Sequence, residues 1–262
     1  TQISNGRLNV ESISKGTVTQ CGDIRAELKS VRKASKLYLT VSVEGTEWKN
    51  TWPVWVYPRI ESLKVGDVLL TQDVEEALAA LKQGRKVLFS PKMSYLKGLE
   101  GKFLPVFWSP VHFPRQAGTM GLLCNTQHAA LRHFPTEMHS NWQWWSIVRH
   151  ARPFILNATR HEYKPLIQVV DNVERNHKLG LLFEFAVDNG KVLVCMSNLE
   201  AIRHTPEGGQ LRNAILSYMK SAEFSPTETL TSQQLQHILT TEVRKQDIVG
   251  VKNQSDYDVQ PE

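Results

Sequence analysis

A thiol placed after a strand and ahead of a helix is how α/β hydrolases and amidotransferases present a nucleophile. Cys124 stands in such a place, within Gly121-Leu122-Leu123-Cys124-Asn125-Thr126-Gln127-His128. The strained backbone of that turn needs small residues two before and two after the nucleophile, and Leu122 and Thr126 occupy those positions. Cys124 therefore reads as a buried structural thiol; a hydrolase using Cys124, with His128 or His139 nearby in sequence, is the alternative. Glycoside hydrolysis would need two carboxylates about 5 to 10 Å apart on rigid strand ends. Asp171 ends one expected strand and Glu184 sits inside another, where it is expected to be solvated or paired with Arg175 or Lys178. Neither is assigned a catalytic role. The densest aromatic string is His139-Ser140-Asn141-Trp142-Gln143-Trp144-Trp145. Indole faces pack on the C–H surfaces of sugar rings while Asn and His bond hydroxyls, so His139, Asn141, Trp142, Trp144 and Trp145 are the expected carbohydrate or partner contacts. Trp142 and Trp145, three apart, would share a helix side that faces a core or a domain boundary. Neighbours on a helix leave about 100° apart, so Trp144 and Trp145 point to different sides and at least one indole needs another surface. Asp171-Asn172, followed by Arg175-Asn176 and Lys178, reads as a loop closed by its own side-chain hydrogen bonds. Gly208-Gly209 is too sparse for a phosphate cradle.

These groups need a scaffold, and the composition supplies an ordinary one. The chain has 262 residues, 41% hydrophobic and 22% charged, which disfavours disorder, collagen-like repetition and coiled coil. No apolar run approaches the ~20 residues of a membrane span; the densest, 179–187, contains Glu184. The net charge of +5 is spread along the chain without a basic block, so no nucleic-acid partner is expected. Cys21, Cys124 and Cys195 are far apart and outside any metal-ligand spacing, so neither a metal, another cofactor nor a disulfide framework is expected. Thr1 stands where Met would open a chain, which reads as processing or as a cut from something longer.

Up to residue 58 the pattern is short alternating runs, the signature of a small antiparallel β-sandwich. Leu37, Leu39, Val41 and Val43 alternate with Tyr38, Thr40 and Ser42; Trp52, Val54 and Val56 alternate with Pro53, Trp55 and Tyr57. Pro53 lacks an N–H and belongs on an edge or at a bulge. From 59 to 230 strand and helix alternate, which predicts an α/β unit with a mainly parallel sheet and helices on both faces. Strands are expected at 68–70, 87–89, 103–108, 121–125, 165–170, 179–187 and 192–196, the last two joined by the hairpin signal Asp188-Asn189-Gly190. Helices are expected after Asp73, over 142–149 with Ser140 or Asn141 as cap, and over 211–219. Residues 231–262 read as a C-terminal helix near 233–240, a last strand at 248–251 and an extended tail.

Four strings in this order, Asn50-Thr51-Trp52-Pro53-Val54-Trp55-Val56-Tyr57-Pro58, Gly121-Leu122-Leu123-Cys124-Asn125, His139-Ser140-Asn141-Trp142-Gln143-Trp144 and Leu179-Gly180-Leu181-Leu182-Phe183-Glu184, resemble the C-terminal part of glycoside hydrolase family 2 enzymes, the β-galactosidase-like sugar-binding-domain proteins of Bacteroidetes. The resemblance spans most of residues 35 to 225. It implies an immunoglobulin-like β-domain followed by a flavodoxin-like α/β domain similar to class I glutamine amidotransferases. It further implies a non-catalytic accessory region of a periplasmic or secreted enzyme, with the acid and nucleophile glutamates in an upstream catalytic domain of the same polypeptide. Domain contacts, a homo-oligomer and a glycan are the partners it suggests. A stand-alone amidotransferase-like or esterase-like hydrolase using Cys124, and an autonomous carbohydrate-binding module, are the alternatives.

Overall fold

In the computed structural model, residues 2–59, 61–92, 119, 121–172 and 175–241 are described. The expected strands at 103–108 and 248–251 lie outside them. The amino-terminal part differs from the expected sandwich. Its strands β1 (Ser35–Ser42) and β2 (Lys49–Val56) form a two-stranded antiparallel ribbon, with Leu37 opposite Val54 and Leu39 opposite Trp52. Residues 2–34 contribute no strand. Alternation marks a half-buried strand only when a second layer covers one face. Here Leu39, Val41, Trp52 and Val54 stay exposed, as do Ile13, Val18 and Ile24 of the preceding segment, so among the described residues no second sheet closes over the ribbon. Pro53 sits within β2 opposite Tyr38, and a two-stranded ribbon leaves it the free edge it needs.

The rest is a mixed α/β body around one open sheet. Its strands are β3 (Val68–Thr71), β4 (Lys86–Phe89), β5 (Gly121–Cys124), β6 (Phe154–Ile155), β7 (Ile167–Val170), β8 (Leu179–Val187), β9 (Gly190–Cys195) and β10 (Thr229–Leu230). The order is β3-β4-β9-β8-β7-β5, with β6 and β10 also pairing with β8. Among the described strands only β3, β4 and β9, and β10 beside β8, run parallel; β8 with β9, β7 with β8, β6 with β8 and β5 with β7 are antiparallel. The expectation of a mainly parallel sheet is corrected by its own hairpin signal. A parallel pair needs a crossover of about a dozen residues or more, whereas Asp188, at φ 51°, and Asn189 turn β8 directly into β9. Gly190 is required there, because a Cβ would lie 2.7 to 2.9 Å from backbone atoms of Arg85 and Leu81.

The helices are α1 (Val74–Lys82), α2 (Trp145–Arg149), α3 (Leu199–Ile202), α4 (Pro206–Lys220) and α5 (Ser232–Thr240). Asp73 caps α1 by accepting from the Glu76 N–H at 2.8 Å, as its position implied. Helix α4 starts five residues earlier than the apolar periodicity suggested, because Thr205 caps it and Pro206 fits its first turn. Gly208 thereby falls inside the helix, where a Cβ would come within 2.2 Å of the Ile202 carbonyl oxygen; the glycine pair serves close packing of α4 on the end of α3. Helix α4 packs with α2 and α3, and α5 packs with α1. Leu235, Ile238 and Leu239 of α5 are buried, so the helix expected in a separate 231–262 tail belongs to the α/β body.

The ribbon is tied to this body. The Tyr57 ring stacks on Phe134 with centroids 6.0 Å apart, and its hydroxyl donates to Gln143. Lys36 of β1 pairs with Glu137. The following linker is strapped to α4, where Arg212 donates to the Leu63 carbonyl at 2.9 Å and Asn213 to that of Glu61 at 3.0 Å.

Candidate aromatic recess

The segment after β5 builds the most distinctive surface feature. Beyond Cys124 the chain turns, passes through a 3-10 turn at Ala129–Leu131, and comes back beside its own strand. There Leu123 and His139 form an antiparallel bridge and the Cys124 N–H donates to the Met138 carbonyl at 2.8 Å. His139 and Ser140 are thus held at the sheet edge by main-chain pairing. The expected helix over 142–149 divides into a 3-10 turn, Trp142–Trp144, and the short α2. Of the two candidate caps Asn141 is the one used: its side-chain oxygen accepts from the Trp142 N–H. Ser140 instead accepts from the Leu122 N–H at 3.4 Å.

The three indoles diverge as the helical geometry required. Trp144 is 1% exposed, donates from Nε1 to the Thr136 hydroxyl at 2.9 Å, and meets Phe134 edge-on at 5.1 Å between centroids. Trp142 is 73% exposed and Trp145 is 53% exposed, with the Arg149 guanidinium 5.6 Å from the Trp145 ring centroid. Together with His139, Ser140 and Asn141 they line an open recess of about 420 Å³. All five residues singled out from the sequence therefore meet in one place. Sequence reasoning missed the groups behind them. Glu137 pairs with Lys36, accepts from Asn141 Nδ2 at 2.6 Å, and lies 3.6 Å from His139 Nε2. The hydrogen bond from Lys36 holds the Glu137 carboxyl below the ordinary range, with the Asn141 bond adding to it, and raises the Lys36 ammonium in return. Lys36 and Glu137 are 101 residues apart, and no local signal joins them.

The other candidate groups are placed elsewhere. Cys124 ends an antiparallel edge strand and leads into a turn, is 6% exposed, and has its thiol pushed up to about 12 by burial. It is protonated at neutral pH, which makes it a poor nucleophile. Asp171 is fully engaged: it accepts from the Asn172 N–H at 2.9 Å, from Arg175 Nε at 3.0 Å and Nη2 at 2.6 Å, and from the His177 N–H at 3.0 Å. The self-bonded loop read from the sequence is present. Glu184 is not solvated, and neither Arg175 nor Lys178 is its partner; Lys178 donates instead to the carbonyls of Arg160 and His161. Glu184 lies under α4, 8% exposed, where the Tyr218 hydroxyl reaches both carboxylate oxygens at 2.9 and 3.0 Å and His128 Nε2 lies 3.9 Å away. Burial pushes its carboxyl up to about 7 and pushes the His128 imidazole down.

A second recess of about 1120 Å³ opens beyond β3 at the start of α1, with Thr71, Asp73, Glu75, Glu76 and Glu200 on its wall. Its carboxylates are structural. Asp73 caps α1, Glu76 takes the Thr71 hydroxyl, Glu75 accepts from Gln236, and Glu200 pairs with Arg203 and Arg212. Among the described residues no group of three or more His, Cys, Asp or Glu is placed to hold a metal ion. Among them, too, no helix is long and apolar enough to cross a membrane.

What the recess can do chemically is narrow. Asn141 spends its oxygen on the cap and one amide hydrogen on Glu137, which leaves few polar contacts beside the open indole faces. Such a surface binds through apolar ring stacking more than through a hydrogen-bond code. No curated protein matches the chain. Residues 1–58, which include Lys36, match the domain of unknown function DUF8488, a different family model from the one that covers the aromatic recess. Residues 69–240, well over half of the chain, match the domain of unknown function DUF8487, and the protein belongs to that family.

Proposed function

We propose that the chain is a non-catalytic accessory region of a glycoside hydrolase family 2, β-galactosidase-like enzyme acting in the periplasm or outside the cell, and that its aromatic recess forms a wall of the glycan site. In this reading the α/β body is a flavodoxin-like domain of the glutamine amidotransferase type, and catalysis belongs to another domain of the same polypeptide. The observation that carries the reading is the recess itself. Two indoles left open beside one that is locked in the core, framed by His139, Ser140 and Asn141, suit the apolar face of a sugar ring. Large aromatic surface left in water without a ligand or partner is unfavourable. The state of the carboxylates also supports it: Asp171 is consumed by Arg175, and Glu184 is sealed under Tyr218.

The test uses the chain as it is. Neutral mono- and oligosaccharides, galactosides included, are titrated against tryptophan fluorescence, and the same protein is assayed on a panel of aryl glycosides. Saturable quenching that disappears in Trp142→Ala, with no glycoside turnover, is the expected result. A silent titration across the panel refutes the glycan wall. Turnover abolished by Glu184→Gln or Asp171→Asn refutes the non-catalytic role.

A further inference from the structure

The recess presents its ligand-facing groups on a very short element. Trp142 opens a three-residue 3-10 turn, and its ring, 73% exposed, has little packing of its own. Its direction is therefore set by the backbone it leaves, and that backbone is set by the Asn141 cap. Asn141 can cap only while its amide is oriented with the oxygen toward the Trp142 N–H and the nitrogen away from it. Glu137 fixes that orientation by accepting from Asn141 Nδ2 at 2.6 Å, and the same carboxylate oxygen lies 3.6 Å from His139 Nε2. The other carboxylate oxygen is bonded to Lys36. Lys36 is itself positioned on the ribbon, with its ammonium 5.2 Å from the Tyr38 ring centroid and 5.8 Å from that of Trp55.

We infer that Glu137 is the positioning residue of the aromatic recess and that Lys36 of the ribbon holds it in place, so that the recess is a composite site completed by both parts of the chain. The inference deepens the reading of the recess as a glycan wall and rests on it for the nature of the ligand. Glu137 does not touch the ligand. It acts through Asn141 and His139, and so sets the angle at which the Trp142 face meets a sugar. The geometry also makes the effect selective. Trp144 is anchored independently by Thr136 and Phe134, so losing the clamp disturbs the open indole and leaves the buried one in place.

The experiment follows the indole N–H resonances of Trp142, Trp144 and Trp145 in a ¹⁵N-labelled full chain, beside the sugar titration, for Lys36→Met, Glu137→Gln and Glu137→Ala. Lys36→Met and Glu137→Ala are expected to shift and broaden the Trp142 signal while sparing that of Trp144. Sugar affinity should fall about three- to tenfold, the scale of one lost hydrogen bond. Glu137→Gln keeps an acceptor for Asn141 and should lie between wild type and Glu137→Ala. An unmoved Trp142 signal in both Lys36→Met and Glu137→Ala overturns the inference. So does equal disturbance of Trp144 in Lys36→Met and Glu137→Gln, which would mark a general packing role. Should the wild type bind no sugar, the glycan reading fails alone, because the resonances still report whether the clamp sets Trp142.

Discussion

Glu184 offers a quantitative test of the core beneath the α/β sheet. Its carboxyl is carried from 4.5 to about 7 by burial, a shift opposed by the Tyr218 hydrogen bonds and by the charge of Lys191. A carboxyl whose folded value lies above its unfolded value prefers to be neutral in the native state. Between pH 4.5 and about 7 the folded chain thus holds a proton that the unfolded chain releases, and stability falls as pH rises through that window. At 1.36 kcal/mol per unit the full cost above pH 7 is about 3 kcal/mol. Glu184→Gln removes the titration but keeps an oxygen for the Tyr218 hydroxyl. It should therefore be about 1 to 3 kcal/mol more stable than wild type at pH 8.5 and equal or slightly less stable at pH 4.5. Urea unfolding from pH 4.5 to 8.5 measures the difference. His128 works in the opposite sense, since burial lowers its imidazole value and protonation on acidification costs stability; carrying both proteins in a His128→Asn background removes that contribution. A stability difference that stays flat with pH, or a variant less stable than wild type at pH 8.5, would show that the native carboxylate is ionised and that Tyr218 compensates for its burial.

The divergence of the indoles predicts unequal costs. Trp144→Ala should destabilise the fold by about 3 to 5 kcal/mol, the range for a large core residue, whereas Trp142→Ala should change stability by less than about 0.5 kcal/mol; chemical unfolding of the two variants checks both. The thiols should separate as sharply under alkylation at neutral pH followed by mass spectrometry. Cys21 is exposed and should react quickly, while Cys124 and Cys195, both buried with thiols pushed up to about 12, should react only on unfolding. Fast labelling of native Cys124 would revive the thiol hydrolase.

How far each feature could be read from sequence follows the range of the interaction that produces it. The Asp73 cap, the turn at Asp188-Asn189-Gly190 and the divergence of Trp142, Trp144 and Trp145 depend on residues within one or two helical turns, and the structure has all three. The alternation in residues 35–57 was equally legible as strand, but a sandwich is a statement about a second layer, and alternation cannot say whether one is present. The parallel sheet failed for a related reason. Long apolar strands separated by helices suggest crossovers, yet the β7–β8 and β8–β9 links are too short for them, so link length, which is local, should have overruled composition. The site shows the same division. The residues that line the recess fall within the seven positions from His139 to Trp145, a dense aromatic string with an Asn cap. What braces them joins Glu137, just ahead of the string, to Lys36 of the ribbon, 101 residues away in sequence. Nothing in either local sequence marks that pair, because its partners are chosen by how the ribbon docks. A surface cluster read from sequence alone thus shows which residues share a recess and remains silent about what braces them.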